Sequence, residues 1–264
     1  MHLLQDRVIF LTGGSKGIGL ECAKKYAEEG ANVAIISNDQ ASIDHAISVL
    51  GNYHLGILAD VSRPEDIQYA ILETILRFGK IDVIHNNAGI ANPSKTLHET
   101  EDAEWNNLFN INVKSIYHTA KFGIDALIKS EGCIINTSSL VAEIGQENHA
   151  AYSATKGAVN ALTKSMALDY APYKIRVNAV APAGVWTQML ESWGKEQNDV
   201  ESIKNYLDGI HALGYCPNGD VVADACVFLA SDKARFITGV IMPVSGGAEL
   251  GYKKVNQSKP VKYA

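Results

Sequence analysis

Eight residues between a buried strand and a helix, Thr12-Gly13-Gly14-Ser15-Lys16-Gly17-Ile18-Gly19, constrain the fold of this chain more than any other stretch. The apolar run Val8-Ile9-Phe10-Leu11 precedes them, and a helix-length segment from Gly17 to Glu29 follows. Glycines at 13, 17 and 19 permit a tight turn and leave the first amides of the helix uncovered, at the end that carries partial positive charge. A strand that feeds a helix in this way begins a βαβ unit, and the pattern recurs down the chain. Asn32 to Ile36 is a second strand, closed by Ser37-Asn38-Asp39, and Ser42 to Leu50 is helical. A third strand around His54 to Leu58 runs into Ala59-Asp60-Val61, and Pro64 opens a helix to Phe78. Asp82 to His85, Cys133 to Asn136, Ile175 to Val180 and Val240 to Val244 are the remaining strands. One long helix covers Trp105 to Lys129 and another Ala150 to Tyr170. The alternation predicts an α/β, doubly wound, seven-stranded parallel sheet with helices on both faces.

At 264 residues, 47% of them hydrophobic, residues 1–264 form one domain of ordinary size. A net charge of −6 and the lack of a long Lys or Arg run argue against nucleic acid as a partner. No apolar run approaches the roughly 18 residues that span a bilayer, and the N-terminus has no export signal, so a cytoplasmic location is expected. Cys22, Cys133, Cys216 and Cys226 have no paired spacing and the histidines no HExxH pattern, so packing cysteines and no metal are expected.

Chemistry enters with Tyr152-Ser153-Ala154-Thr155-Lys156. Residues at i and i+4 of a helix share a face, and a fixed ammonium favours the phenolate form of a neighbouring tyrosine. Taken alone the pair is also what an exposed helix face carries. Asn86-Asn87-Ala88-Gly89 follows the fourth strand, Asn112 lies in the long helix, Ser138-Ser139 follows the fifth strand, and Tyr152 stands 13 residues after Ser139. All leave the carboxyl ends of strands or the helices beside them, where open α/β sheets bind ligands, and the glycine loop suits a dinucleotide.

With these motifs the sequence resembles the short-chain dehydrogenase/reductase family over nearly its whole length. Ser139 to Gln146, Ala154 to Val159 and Gly246 to Tyr252 are similar to the subgroup containing 17β-hydroxysteroid dehydrogenase type 14 and L-fucose dehydrogenases. The resemblance implies a catalytic set of Asn112, Ser139, Tyr152 and Lys156. Tyr152 is then the general acid/base, Lys156 lowers its pKa and holds the nicotinamide ribose, Ser139 orients the reacting oxygen, and Asn112 holds a water that completes a proton path. It implies cofactor contacts from Gly13, Ser15, Lys16, Gly17, Ile18 and Gly19 in the loop, and from Ser37 and Asn38 after the second strand. Asp60 and Val61 fall at the adenine, Asn87, Ala88 and Gly89 under the ribose, and Pro182, Val185 and Thr187 beside the nicotinamide. The family's Pro-Gly pair reads Pro182-Ala183 here. A homotetramer is also implied.

An acidic side chain at the end of the second strand favours NAD over NADP. Ser37 stands there, and Lys16 lies within reach of a 2′-phosphate; these lean toward NADP, while Asp39, if turned inward, leans toward NAD, and on balance NADP is slightly favoured over NAD. The loop Glu143 to His149 is polar for a substrate wall. Asn92, Gln146, His149 and Trp186, with Ser139 and Tyr152, are the substrate candidates. Residues 186–213, with Met189, Trp193, Tyr206 and His211, are expected to form a lid, and 252–264 a tail. Aromatic surface with polar partners suits a sugar of carbohydrate metabolism; with the subgroup resemblance this implies an L-fucose-like aldose oxidised to its lactone, or the reduction of a related sugar carbonyl. A hydroxysteroid or other apolar alcohol, and a non-catalytic cofactor-bound sensor, are the competing readings.

Overall fold

A computed structural model describes residues 2–187, 190 and 200–251. One sheet of parallel strands organises the chain, in the order β3-β2-β1-β4-β5-β6-β7. The strands are β1 (Val8–Thr12), β2 (Asn32–Ser37), β3 (Leu55–Leu58), β4 (Val83–Asn86), β5 (Cys133–Thr137), β6 (Arg176–Pro182) and β7 (Ile241–Val244). The order reverses between β1 and β4. That reversal opens a crevice at the carboxyl ends of the strands.

The helices are α1 (Gly17–Glu28), α2 (Gln40–Leu50), α3 (Pro64–Phe78), α4 (Asp102–Phe109), α5 (Ser115–Ser130), α6 (Ala150–Tyr170), α7 (Val200–Ile210) and α8 (Asp220–Ala230). Their limits follow from local chemistry. Asp39 starts α2 by accepting from the amides of Ala41 and Ser42. Pro64 fits the first turn of α3, Glu65 and Asp66 complement its positive end, and Gly79 ends it in a left-handed conformation.

The strand interiors are apolar on both sides because both faces of the sheet are covered. On one face Tyr26 of α1 and Val222, Cys226 and Leu229 of α8 pack against Ile9, Leu11, Val33 and Ile35. On the other, Ile67 and Ile71 of α3, Ile116 and Leu127 of α5, and Val159 and Met166 of α6 pack against Phe10, Ile84, Ile134 and Val177. Each large side chain buried in this way contributes about 1.5–3 kcal/mol.

The single helix expected over Trp105 to Lys129 is two helices joined by a π turn at Asn110–Lys114. The cause is tertiary. Asn112, inside that turn, is drawn inward by the backbone of Ile90 and the hydroxyl of Thr155. A π turn widens the helix by one residue and commonly aims a functional side chain.

Candidate active site

A buried polar ladder fixes the ends of the strands that carry the site. Thr119 of α5 donates to Asn86 of β4 at 2.7 Å, Asn86 donates to Asn136 of β5 at 2.9 Å, and Asn136 donates to Thr163 of α6 at 2.9 Å. Every member is paired, so the ladder ties α5, β4, β5 and α6 in one register without an orphaned group.

Lys156 and Tyr152 share one face of α6. The Lys156 ammonium lies 5.7 Å from the Tyr152 ring centroid and donates to the Thr137 carbonyl at 2.7 Å. Lys156 is 4% exposed, and burial lowers its pKa from the usual 10.5 to about 8, so it carries its charge at neutral pH. Burial also raises the Tyr152 hydroxyl above its ordinary value, and the hydrogen bond with the Ser139 side chain opposes that rise. The lowering expected from Lys156 does not set the direction here: desolvation of the phenolate does, and the bond with Ser139 is what opposes it. Ser139 caps the short turn Leu140–Ala142 by accepting from Val141, which holds its hydroxyl beside Tyr152.

Asn112 is 2% exposed. Its Oδ1 accepts from the Ile90 amide at 2.9 Å, and its Nδ2 donates to the Ile90 carbonyl at 2.8 Å and to Thr155 at 3.0 Å. A Cβ on Gly89 would stand 3.3 Å from Asn112 Oδ1 and 3.6 Å from Lys156 Nζ, so the bare backbone of Gly89 lets the two gather around it. Ser138 does not join them: it donates to Asn160, which in turn donates to Glu143 and anchors the loop before α6.

The glycine loop is shaped by close backbone approach. A Cβ on Gly19 would lie 2.0 Å from the Gly13 carbonyl oxygen and 2.5 Å from Asn87 Nδ2, and Gly13 and Gly17 have φ of 63° and 53°. Asn87 donates to the carbonyls of Thr12 and Gly13, and the amides of Asn87 and Ala88 donate to Thr12 Oγ1. A cleft of about 760 Å³ runs from this loop past Ser15, Lys16 and Gly17 to Asp39, Ser42, Thr187 and Asn218. Its size and the helix N-terminus at Gly17 fit a dinucleotide. Lys16 meets Asp39 at 2.6 Å, and Ser15, Ser37 and Ser42 bond to one another beneath them. The Lys16 ammonium, with the amides of Ser42 and Ala41, holds Asp39 below the usual carboxylate range.

Other expected positions are scattered more widely. Asn38 is exposed, Asp60 accepts from the amide and hydroxyl of Ser62, and Val61 and Val185 place their side chains in the two cores. Pro182 ends β6, and Thr187 packs toward Gly17. His149 is set edge-on to the Tyr152 ring, 6.3 Å between centroids, and bonds to Ser94 and the Glu147 carbonyl. Asn92 and Gln146 are exposed on the flanking loops.

Trp186, a substrate candidate, lines the cleft beside the glycine loop, and its backbone pairs with Asn218 and Pro217. Of the expected lid, Tyr206 is exposed, whereas His211 is buried against Gly184 and Gly246. Met189, Trp193 and the tail 252–264 lie outside the described residues. Sequence reasoning also missed Ser42, His45 and Asn218, which line the cleft from α2 and the segment before α8.

Among the described residues no helix is long and apolar enough to cross a membrane. A family model described as enoyl-(acyl carrier protein) reductase matches residues 13–249. L-fucose dehydrogenase of Bos taurus is 39% identical over 96% of this chain and 94% of that protein. The ligand-free structure of aldohexose dehydrogenase from Thermoplasma acidophilum superposes with a TM-score of 0.87 at 32% identity, covering 97% of this chain and 98% of that one. A 3-ketoacyl-(acyl-carrier-protein) reductase from Brucella melitensis, complexed with NADH, gives 0.85 at 30% identity over 93% and 99%. The chain belongs to the short-chain dehydrogenase/reductase family and is a nicotinamide-dependent oxidoreductase acting on CH–OH groups.

Proposed function

We propose that this enzyme oxidises the anomeric carbon of an L-fucose-like aldose to its lactone. The nicotinamide supplies the hydride acceptor when bound. Ser139 and Tyr152 hold the anomeric oxygen, and Tyr152 takes its proton as the C–H bond breaks. The buried Lys156 ammonium stabilises the phenolate, and Asn112 holds the relay water that returns the proton to solvent. A hydride and a proton leave the sugar together, so the product is the neutral lactone.

The observation that carries the sugar reading is the polar clasp beside the phenol: His149 bonded to Ser94, edge-on to Tyr152, between loops that present Asn92 and Gln146. Such a wall supplies donors and acceptors for hydroxyls, whereas a steroid calls for a drier one. The names of the relatives, L-fucose dehydrogenase and aldohexose dehydrogenase, support the same class.

Both NAD and NADP serve as cofactor in this reading, with the Lys16–Asp39 pair setting the ratio. A 2′-phosphate has to draw Lys16 away from a carboxylate 2.6 Å distant before it gains a partner. That offsets the advantage Ser37 gives NADP. We also infer a homotetramer in the cytoplasm. Initial rates with aldoses, sugar acids, steroids and simple secondary alcohols, each with NAD⁺ and NADP⁺, test the assignment. Turnover of L-fucose or a close stereochemical relative at the highest kcat/KM is expected; activity confined to steroids or apolar alcohols overturns it.

A further inference from the structure

A buried polar cluster outside the site lies at the end of β4. Cys22 of α1, His85 of β4 and Cys226 of α8 bring their donor atoms within 4.8 Å of one another, all fully buried. Two thiols and an imidazole are soft-metal ligands, but both nitrogens of His85 are committed to neighbours. Nδ1 lies 3.0 Å from the Tyr26 hydroxyl and Nε2 3.0 Å from the Thr137 hydroxyl. His85 is therefore a link in a hydrogen-bond chain.

The direction of that chain follows from its far end. Asn87 spends its Nδ2 protons on the carbonyls of Thr12 and Gly13 at 3.2 and 3.0 Å, so its Oδ1 faces Thr137 and accepts. Thr137 donates to it at 3.3 Å. With its one proton spent, the Thr137 oxygen accepts from His85 Nε2–H. The lone pair of His85 then lies on Nδ1 and accepts from the Tyr26 hydroxyl. Every donor points from the core between α1 and α8 toward the glycine loop. Thr137 is also the residue whose carbonyl holds Lys156, so its backbone serves the proton-transfer corner and its side chain serves the cofactor strip.

We propose that His85 is a positioning residue for the nicotinamide cofactor: acting through Thr137, it fixes the rotamer and amide orientation of Asn87 and so the spacing between the strip Asn87-Ala88-Gly89 and the glycine loop. This rests on the reading of that strip as a cofactor contact. The spacing is tight, since a Cβ on Gly13 would lie 2.9 Å from Ala88 Cα. An aliphatic residue at 85 packs as well as imidazole, but it leaves the buried Tyr26 hydroxyl without its His85 partner and the Thr137 hydroxyl without the N–H that orients it toward Asn87, which is then freer to turn.

The test titrates NAD⁺ and NADP⁺ against intrinsic fluorescence in the full chain carrying Asn87→Ala, His85→Leu, Thr137→Val, the His85→Leu/Thr137→Val pair, or His85→Gln. His85→Leu and Thr137→Val each raise the cofactor Kd about tenfold, and in His85→Leu kcat at saturating cofactor stays within about threefold. The double variant is no worse than about twofold beyond either single one, because the two changes cut the same chain. His85→Gln, which keeps an N–H for Thr137, binds within about threefold of the unaltered protein. A folded His85→Leu that binds both cofactors normally, while Asn87→Ala binds them poorly, overturns the role of His85. Additive losses in the double variant overturn it as well. Should His85→Leu not fold, unchanged binding in Thr137→Val overturns it. Unchanged binding in Asn87→Ala removes the strip reading itself.

Discussion

The proton-transfer corner and the rim around it are built on opposite terms. At the corner Lys156 and Asn112 are 4% and 2% exposed, and each is held by partners on other elements: the Thr137 carbonyl, the Ile90 backbone and the Thr155 hydroxyl. Along the rim Glu143 to Asn148 are exposed, and Lys16 and Asp39, 55% and 41% exposed, have little beyond each other and the start of α2. Dry, over-determined packing gives a reaction the fixed geometry it needs. Exposed pairs of this sort contribute under about 1 kcal/mol to stability and change at little cost, which suits the choice of substrate and cofactor.

If the corner is as rigid as this, changes there should be severe and changes at the rim graded. The largest effect is expected from Lys156→Met, with kcat down about a thousandfold by steady-state assay, a general acid/base system having lost its charge. The same variant carries a stability signature. Burial of the ammonium lowers its pKa from 10.5 to about 8, so between these values the unfolded chain holds a proton that the folded chain has shed, and stability rises with pH. Below about pH 8 the desolvation cost is present in full. Urea unfolding of the cofactor-free protein should show a gain of about 3 kcal/mol across that window, absent in Lys156→Met. Ionisation of Tyr152 acts in the opposite direction between its ordinary value and its raised one, where the unfolded chain has shed a proton that the folded chain keeps.

Next in size is Gly19→Ala, where the added methyl meets the Gly13 carbonyl; a loss of cofactor affinity of about a hundredfold by fluorescence titration is expected, and unimpaired binding contradicts the loop geometry. Asp39→Ala should be milder. Releasing Lys16 should raise the NADP-to-NAD ratio of kcat/KM about tenfold, with melting lowered by a few degrees because the cap of α2 is lost as well. A ratio that stays put separates the rim from cofactor choice.

Much of the fold was legible because its signals are local. Val and Ile runs mark strands, Pro64 and Gly79 bracket α3, and the glycines around Lys16 mark the turn into α1. The i, i+4 placement of Tyr152 and Lys156 needed only the helix period. What was not legible depends on distant partners. The break between α4 and α5 is set by Asn112 reaching a loop 22 residues earlier. Trp186 lines the cleft beside the glycine loop on a backbone paired with Asn218, more than 30 residues on. Asp39 turns to cap α2 and meet Lys16, which no periodicity announces. The chain from Tyr26 through His85 and Thr137 to Asn87 passes between α1, β5 and the end of β4, which lie some 50 or more residues apart.

The central claim, that the phenol of Tyr152 moves the proton, is tested most directly by turnover in Tyr152→Phe. Phenylalanine keeps the ring beside His149 and Lys156 and removes only the hydroxyl that meets Ser139. Measured with the best substrate from the panel and saturating cofactor, kcat should fall about a thousandfold or more while cofactor Kd stays within about twofold. A Tyr152→Phe enzyme whose kcat lies within about tenfold of the unaltered protein contradicts the account.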